Sequence, residues 1–247
     1  AFFDADVIDV ELLYDNAMLK VNYSQARRWR TRTILSGSNQ STEGMLMPEG
    51  WNWQKIDRKN IRSIGLSQNV KLSSFPSIGV PDYLFYRSVS RIKWVPFLDF
   101  LNYNKEDSLN YLERNFEFKR YPYKHYESVF TRFYQGYLLP EKFGIDKRRL
   151  HLSNLVITKQ LTREEALSRL QENPYPSIRD LQMDIRYFLK KMEWDEDDLS
   201  NYLSRAERPH DEWGSEVGRW RFIVGVNKKL RWMRPSLFPG TKRPIPP

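Results

Sequence analysis

Arg32-Thr-Ile-Leu-Ser-Gly-Ser-Asn-Gln-Ser-Thr-Glu-Gly44 is the stretch on which the reading of the fold turns. Thr33-Ile34-Leu35 is a short apolar run with a β-branched start, and it predicts a buried strand. The run stops at Ser36-Gly37-Ser38-Asn39, small residues that allow a tight turn and a close approach of backbone to a ligand. Ser41, Thr42 and Glu43 follow. Such residues at the carboxyl end of a strand suit a phosphate and its Mg²⁺. Backbone N–H groups and hydroxyls can face the oxyanion, and the carboxylate can face the metal. In open α/β sheets, ligands bind beyond the carboxyl ends of the strands. The plainer alternative is a polar strand-to-helix turn in which Ser or Thr serves as an N-cap.

Upstream, apolar residues at Leu13, Ala17, Leu19, Val21, Tyr23 and Ala26 recur at roughly helical spacing over residues 12–29. Lys20, Arg27 and Arg28 lie toward the end of that stretch, where cations suit the helix dipole. Helix, strand and small-residue loop is the rhythm of an α/β sheet. The acidic stretch 4–9 reads as a strand end or loop, and 45–53, with Trp51 and Trp53, as a loop packed by its own aromatics. Asp57 predicts the N-cap of a short helix through Ile61 and Ile64. Residues 71–76 are expected to be extended, because Pro76 biases its predecessor away from helix. Pro81 opens a predicted helix reaching Ile92. Residues 93–100 read as a strand or extended link.

A domain boundary is therefore placed near residue 95, dividing the chain into 1–95 and 96–247. Beyond it the pattern is mostly helical. Asn104 or Asp107 caps a helix to about residue 116, and Tyr121-Pro-Tyr interrupts. A helix over 126–139 is expected to stop at Pro140. Thr162-Arg-Glu-Glu165 is a capping box opening a helix to Leu170. Two more helices are predicted over 178–192 and 196–206, the second with acid at its start. The tail from Trp220 is basic and aromatic, and its last residues are expected to be loosely ordered.

Composition narrows the class. A chain of 247 residues with 40% hydrophobic and 29% charged residues can build a core, so it is no disordered tail. The net charge of +9 favours anionic partners: nucleotides, nucleotide-sugars, nucleic acid or a membrane surface. Cys is absent, which removes disulfides, thiolate nucleophiles and Cys-based zinc sites. Three His make a His-rich metal site unexpected. No apolar run nears the length of a membrane span and no signal-peptide pattern is present, so the reading is cytoplasmic. The chain opens on Ala1 and is read as a processed product or a fragment.

The second half carries an unusual charged block. Lys124-His-Tyr-Glu-Ser128 and Lys142-Phe-Gly-Ile-Asp-Lys-Arg-Arg-Leu-His-Leu-Ser153 flank the helix predicted over 126–139, in which Glu127, Arg132 and Gln135 interrupt Phe130, Phe133 and Tyr134. A run of cations is commonly a solvated face. Here the cations alternate with Phe143, Ile145, Leu150 and Leu152, which are expected in the core. Cations anchored in this way are held in place, and a fixed Arg fork suits phosphate or carboxylate.

These two segments, with Thr131-Arg-Phe-Tyr-Gln-Gly, Leu139-Pro-Glu-Lys-Phe-Gly, Thr162-Arg-Glu-Glu-Ala-Leu and Ile34-Leu-Ser-Gly-Ser-Asn-Gln-Ser-Thr-Glu-Gly, resemble the N-acetyl sugar amidotransferase family. The resemblance runs from about residue 6 to about 215. It implies a PP-loop ATP pyrophosphatase: part of a parallel α/β sheet over 1–95, followed by a mainly helical substrate-binding region over 96–247. It implies that ATP activates the carbonyl oxygen of an acetamido group on a nucleotide-activated bacterial surface sugar. Ammonia from a separate glutaminase subunit then replaces that oxygen to give an acetamidino group, in lipopolysaccharide O-antigen or a related glycan.

The resemblance also implies roles for residues. Ser36, Gly37, Ser38, Asn39, Thr42 and Glu43 would contact ATP, with Glu43 the candidate Mg²⁺ ligand, and Lys71 would be a phosphate-binding lysine. Lys147, Arg148 and Arg149 are the electrostatic candidates in catalysis, and His125, Glu127 and His151 are candidates for proton transfer or substrate hydrogen bonding. A satisfied structural histidine is the alternative at both His positions. Lys124, Arg132, Lys142, Asp146 and Ser153 complete the set as substrate contacts. The family's Ser-Gly-Gly-x-Asp-Ser PP-loop and a Cys-containing segment lie N-terminal to the matching region and are not in this sequence. The chain therefore reads as the C-terminal two-thirds of such an enzyme, with the PP-loop portion lost or supplied by another chain.

A basic, aromatic-rich nucleic-acid-binding module is the competing class. No nucleic-acid motif supports it, and the aromatics fall at core spacings. A sulfurtransferase of the same superfamily is a third reading, weakened by the lack of Cys.

Overall fold

The computed structural model describes residues 1–121, 124, 126–175 and 177–232. Twelve α-helical segments dominate it, joined by two short parallel strands. Helix α1 (Leu12–Arg28) leads into strand β1 (Thr33–Ser36), as the periodicity predicts. Strand β2 (Lys93–Pro96) pairs with β1 in parallel, Thr33 opposite Lys93 and Ser36 opposite Pro96. Between the strands lie the single-turn helix α2 (Gln40–Glu43), α3 (Arg58–Ser67) and α4 (Val80–Leu84), which continues into a π-helical turn over Phe85–Val89.

The strand differs from the expectation. Thr33-Ile34-Leu35 is not buried: Leu35 is 66% exposed, and only Ile34 packs against the cluster of Tyr23, Ile78, Tyr86 and Ile92. A lone two-stranded pair has one face to offer this core. Parallel strands read as fully apolar runs only when both faces are covered. Among the described residues this pair is the whole sheet. The extended Lys71–Pro76 stretch joins no strand.

The first eleven residues are a turn-rich segment sunk into the main core, not a strand end. Phe2, Phe3, Ala5, Val7, Ile8 and Val10 are all buried. They meet the helical half, which runs α5 (Lys105–Phe116), α6 (Val129–Phe133), α7 (Leu139–Phe143), α8 (Arg148–Ile157), α9 (Arg163–Gln171), α10 (Ile178–Met192), α11 (Glu196–Ser204) and α12 (Val217–Trp232). Phe3 meets Phe188, Trp194 and Tyr202 edge to face, with centroids 5.3–5.8 Å apart. The Tyr134 hydroxyl donates to the Ile8 carbonyl.

Helix starts follow local chemistry. Asp57 accepts from the Asn60 N–H, Asn104 from that of Asp107, and Thr162 and Glu165 form the expected capping box. Pro140, however, does not end its helix. A π turn over Tyr134–Leu138 joins α6 to α7 and carries the chain past Pro140 to Phe143. The wider turn accommodates the ring and the missing N–H that break an α-helix. Gly144, at φ 65°, ends α7 in the left-handed conformation. Among the described residues no helix is long and apolar enough to cross a membrane. The expectation for the last residues of the tail lies outside the described residues.

Candidate functional site

Helix α8 is the centre of the site, because it touches both halves of the chain. On one side α2 docks on it: Asn154 Nδ2 donates to the Gln40 carbonyl at 3.0 Å, and Thr158 Oγ1 to that of Ser41 at 3.0 Å. On the other, the first turns of α8 face a cleft lined by Lys105, Lys124, Tyr126, Gln135, Lys147, Arg148, His151, Leu152, Leu155 and Arg169. Positions 148, 151, 152 and 155 share one helical face by their spacing. The cleft offers about 60 Å³. A larger groove of about 490 Å³ between Val80–Leu84 and α12 is lined mostly by apolar residues, with Arg219 its one charged member. It lacks the convergent polar groups that mark a reaction site.

The loop and the charged block predicted from sequence come together here. Lys124 Nζ lies 2.5 Å from Glu43 Oε1, so the cleft adjoins the 36–43 loop. Lys147 is buried and donates to Glu11 Oε2 at 2.7 Å, while Gln135 donates to the other oxygen of the same carboxylate at 2.8 Å. Arg148 is held against Asp146, with Nη2 2.8 Å from Oδ2, and reaches the Glu172 carbonyl at 2.8 Å. Arg148 thus ties α8 to the end of α9.

Gly136 sets the cleft's back wall. The Tyr126 hydroxyl donates to the Pro174 carbonyl at 2.6 Å, and a Cβ at 136 would stand 2.6 Å from that hydroxyl and 3.0 Å from the Tyr175 ring. Only glycine allows the approach.

Other sequence candidates sit elsewhere. The Lys142 side chain is 0% exposed, with its ammonium on Asp6 and on the carbonyls of Tyr202 and Arg205, and it does not line the cleft. Arg132 makes a two-pronged pair with Asp184, both contacts 2.7 Å, and Tyr175 donates to the same carboxylate. Burial pushes the Tyr175 hydroxyl well up, with the Asp184 charge adding to it, so it stays a donor. Arg149, Ser153, Glu127 and Lys71 are exposed and do not line the cleft. His125 lies outside the described residues.

The 36–43 loop follows the plainer sequence alternative in part. Asn39, not Ser or Thr, caps α2 by accepting from the Thr42 N–H at 2.9 Å. The Gln40 N–H is taken by Asp99 Oδ1 at 2.7 Å, and the Ser38 N–H by Ser36 Oγ at 3.1 Å. Ser36 and Ser38 hydroxyls bond to each other at 2.7 Å. These loop donors are therefore engaged. Glu43, at the end of the loop, reaches the cleft through its pair with Lys124. Among the described residues no group of three His, Asp or Glu could hold a metal. One exposed carboxylate beside phosphate oxygens is nonetheless an ordinary Mg²⁺ environment.

Lys105 and Arg169 were not singled out in the sequence. Lys105 is the first residue of α5 and Arg148 the first of α8, positions where the helix dipole disfavours a cation. That misfit is legible in a sequence, but it does not reveal that Lys105 and Arg148 line one cleft, and Arg169, in the last turn of α9, gives no such signal. Burial holds the Lys105 amine below the usual lysine range, and Lys124, Arg169 and Arg120 add to this against Glu106.

The helical half bears a cleft lined by cations. Residues 127–227 match the family model described as LPS biosynthesis protein WbpG-like, C-terminal domain. This segment is thus similar to the C-terminal region of a lipopolysaccharide-biosynthesis protein, in line with the resemblance to the C-terminal part of the sugar amidotransferases. No curated protein and no solved structure matches the chain.

Proposed function

We propose that the protein acts in lipopolysaccharide O-antigen or related glycan biosynthesis as the C-terminal part of an ATP-dependent amidotransferase. It converts an acetamido group of a nucleotide-activated sugar to an acetamidino group. The observation that carries this reading is the junction at Lys124: the carboxylate of the 36–43 loop meets a cleft of fixed cations, within a chain whose helical half matches a lipopolysaccharide-biosynthesis family.

In this reading the acetamido carbonyl oxygen attacks the α-phosphorus of ATP, and pyrophosphate leaves. Ammonia then adds to the imidate carbon and AMP departs. Glu43 would hold a Mg²⁺, which would supply charge neutralisation for the phosphates. Lys124 and Lys147 bring positive charge to the same oxyanions. Their carboxylate partners keep them in position, so little reorganisation is needed when charge develops. His151, on the inner face of α8, can donate a hydrogen bond or a proton to a leaving oxygen. A PP-loop portion on another chain or a longer product would complete the ATP site.

Zero Cys leaves no thiolate for glutamine hydrolysis in this chain, so ammonia is expected from a separate glutaminase. The test gives the intact enzyme ATP, an acetamido nucleotide-sugar and either ammonium or glutamine. AMP and pyrophosphate should appear with ammonium alone, and with glutamine only after the partner is added. Glutamine-driven turnover by the single protein refutes the partner, and no AMP under any condition refutes the reaction. Steeply salt-dependent oligonucleotide binding without turnover would instead favour the nucleic-acid module.

A further inference from the structure

Among the described residues the cleft holds five Lys or Arg cations, and three have a carboxylate each. Lys124 has Glu43, Lys147 has Glu11 and Arg148 has Asp146. Among the described residues the side chains of Lys105 and Arg169 have neither an ion pair nor a hydrogen bond. Glu106 acts on Lys105, and Glu165 on Arg169, only at longer range. Lys105 is half-buried. Lys105 and Arg169 face a common cleft and repel each other, and the half-buried Lys105 is also partly desolvated, an arrangement that an entering anion relieves.

The size of the space narrows the anion. The 60 Å³ of the cleft compares with about 10–15 Å³ needed for one water. It accepts a phosphoryl group and leaves a nucleoside outside. Two positive charges match the charge of a phosphoryl dianion and favour it over a carboxylate of single charge.

We propose that Lys105 and Arg169, together with Lys124, form a binding subsite for a phosphoryl dianion at the end of a diphosphate chain. The subsite stands on the cleft geometry. Only its source, a sugar nucleotide or ATP, rests on the amidotransfer reading.

The test needs no turnover. Competitive acetylation of the whole chain, read by mass spectrometry, should show Lys105 shielded by inorganic pyrophosphate about tenfold, the scale of one charge-assisted contact, with Lys190 on α10 unaffected. Unchanged Lys105 reactivity overturns the proposal. Calorimetry should show pyrophosphate binding weakened about tenfold in Lys105→Gln and in Arg169→Gln, and unchanged in Lys190→Gln. Equal weakening in Lys190→Gln marks a general polyanion effect and also overturns it. Shielding by uridine diphosphate without Mg²⁺ assigns the subsite to the sugar nucleotide, and shielding by Mg-ATP alone assigns it to the co-substrate. Both uphold the subsite. If pyrophosphate shields Lys105 and no AMP is ever formed, the amidotransfer reading fails and the subsite survives. If AMP is formed while Lys105 stays unshielded, the subsite fails alone.

Discussion

Lys142 and Lys105 carry the same ammonium away from solvent, the first fully and the second in part, and find different company there. Lys142, on α7, meets a carboxylate and two carbonyl oxygens, and its charge is matched inside the fold. Lys105 meets Lys124 and Arg169, and its amine is driven down by burial and by those neighbours. The same split runs through the charged block as a whole. Arg132 on Asp184 and Lys142 on Asp6 are rivets, whereas among the described residues the cleft side keeps two cations, Lys105 and Arg169, outside any ion pair. A cation's use is decided by whether its counter-ion belongs to the protein.

The sharpest way to break that comparison is to remove a rivet's anion. Asp184→Ala leaves the Arg132 guanidinium, itself 25% exposed, without its partner. It should cost about 3 kcal/mol, the lower end for a broken buried pair, in urea unfolding. Pyrophosphate affinity should hold. A loss of affinity as large as the loss of stability would show that rivets and cleft are not separable.

Asp57 runs the comparison with the sign reversed, as a buried anion fully supplied by the protein. Burial alone would raise its carboxyl. Hydrogen bonds from His210, Ser215 and the N–H groups of Asn60 and Glu216 outweigh it and hold the group below the usual aspartate range. A depressed folded-state pKa contributes stability above the unfolded value of about 4, and that contribution is lost as pH falls through the lower folded value. Asp57→Asn should cost about 2 kcal/mol near neutrality, in the range for charge-assisted hydrogen bonds. It should also flatten the acid side of the stability profile. An unchanged acid limb would remove Asp57 from it.

Arg148→Ala should cost about 1.5 kcal/mol for its bonds to Asp146 and the end of α9. It should weaken pyrophosphate binding by loosening the helix that bears Arg169. The smallest effect belongs to Glu43→Gln. Stability should move by less than about 0.5 kcal/mol, because the pair with Lys124 is partly exposed. Metal-free pyrophosphate should bind about threefold tighter once Lys124 is released, while Mg²⁺-dependent ATP use falls. Equal losses for both ligands would place Glu43 outside the junction.

Much of the frame was legible in the sequence because it rests on neighbours. The caps Asp57, Asn104 and Thr162 act within one turn, and α1, α9 and α10 follow their periodicities. The cleft was legible only in part. Residues 142–153 read as one cationic block, yet Gly144 turns the chain between Lys142 and Lys147. The helix then sends Arg148 and His151 inward and Arg149 and Ser153 outward. Lys105 and Arg169 reach the cleft from helices far away in the chain, and their convergence follows from packing that no local pattern encodes. Leu35 failed for a related reason: its burial depended on a second layer over the strand pair.

Asn16 suggests how this molecule breathes. Its fully buried amide donates to the carbonyls of Lys55 and Ile78 and accepts from the Ile78 N–H, with distances of 2.7–2.9 Å. One side chain on α1 thus stitches two loops that otherwise have no regular structure at those points. Loop amides ordinarily trade their protons with solvent through small local openings. The Ile78 amide has no such route, because freeing it means pulling α1 away from both loops together. Its deuterium uptake should be as slow as that of the main helices, a slow clock set inside a loop.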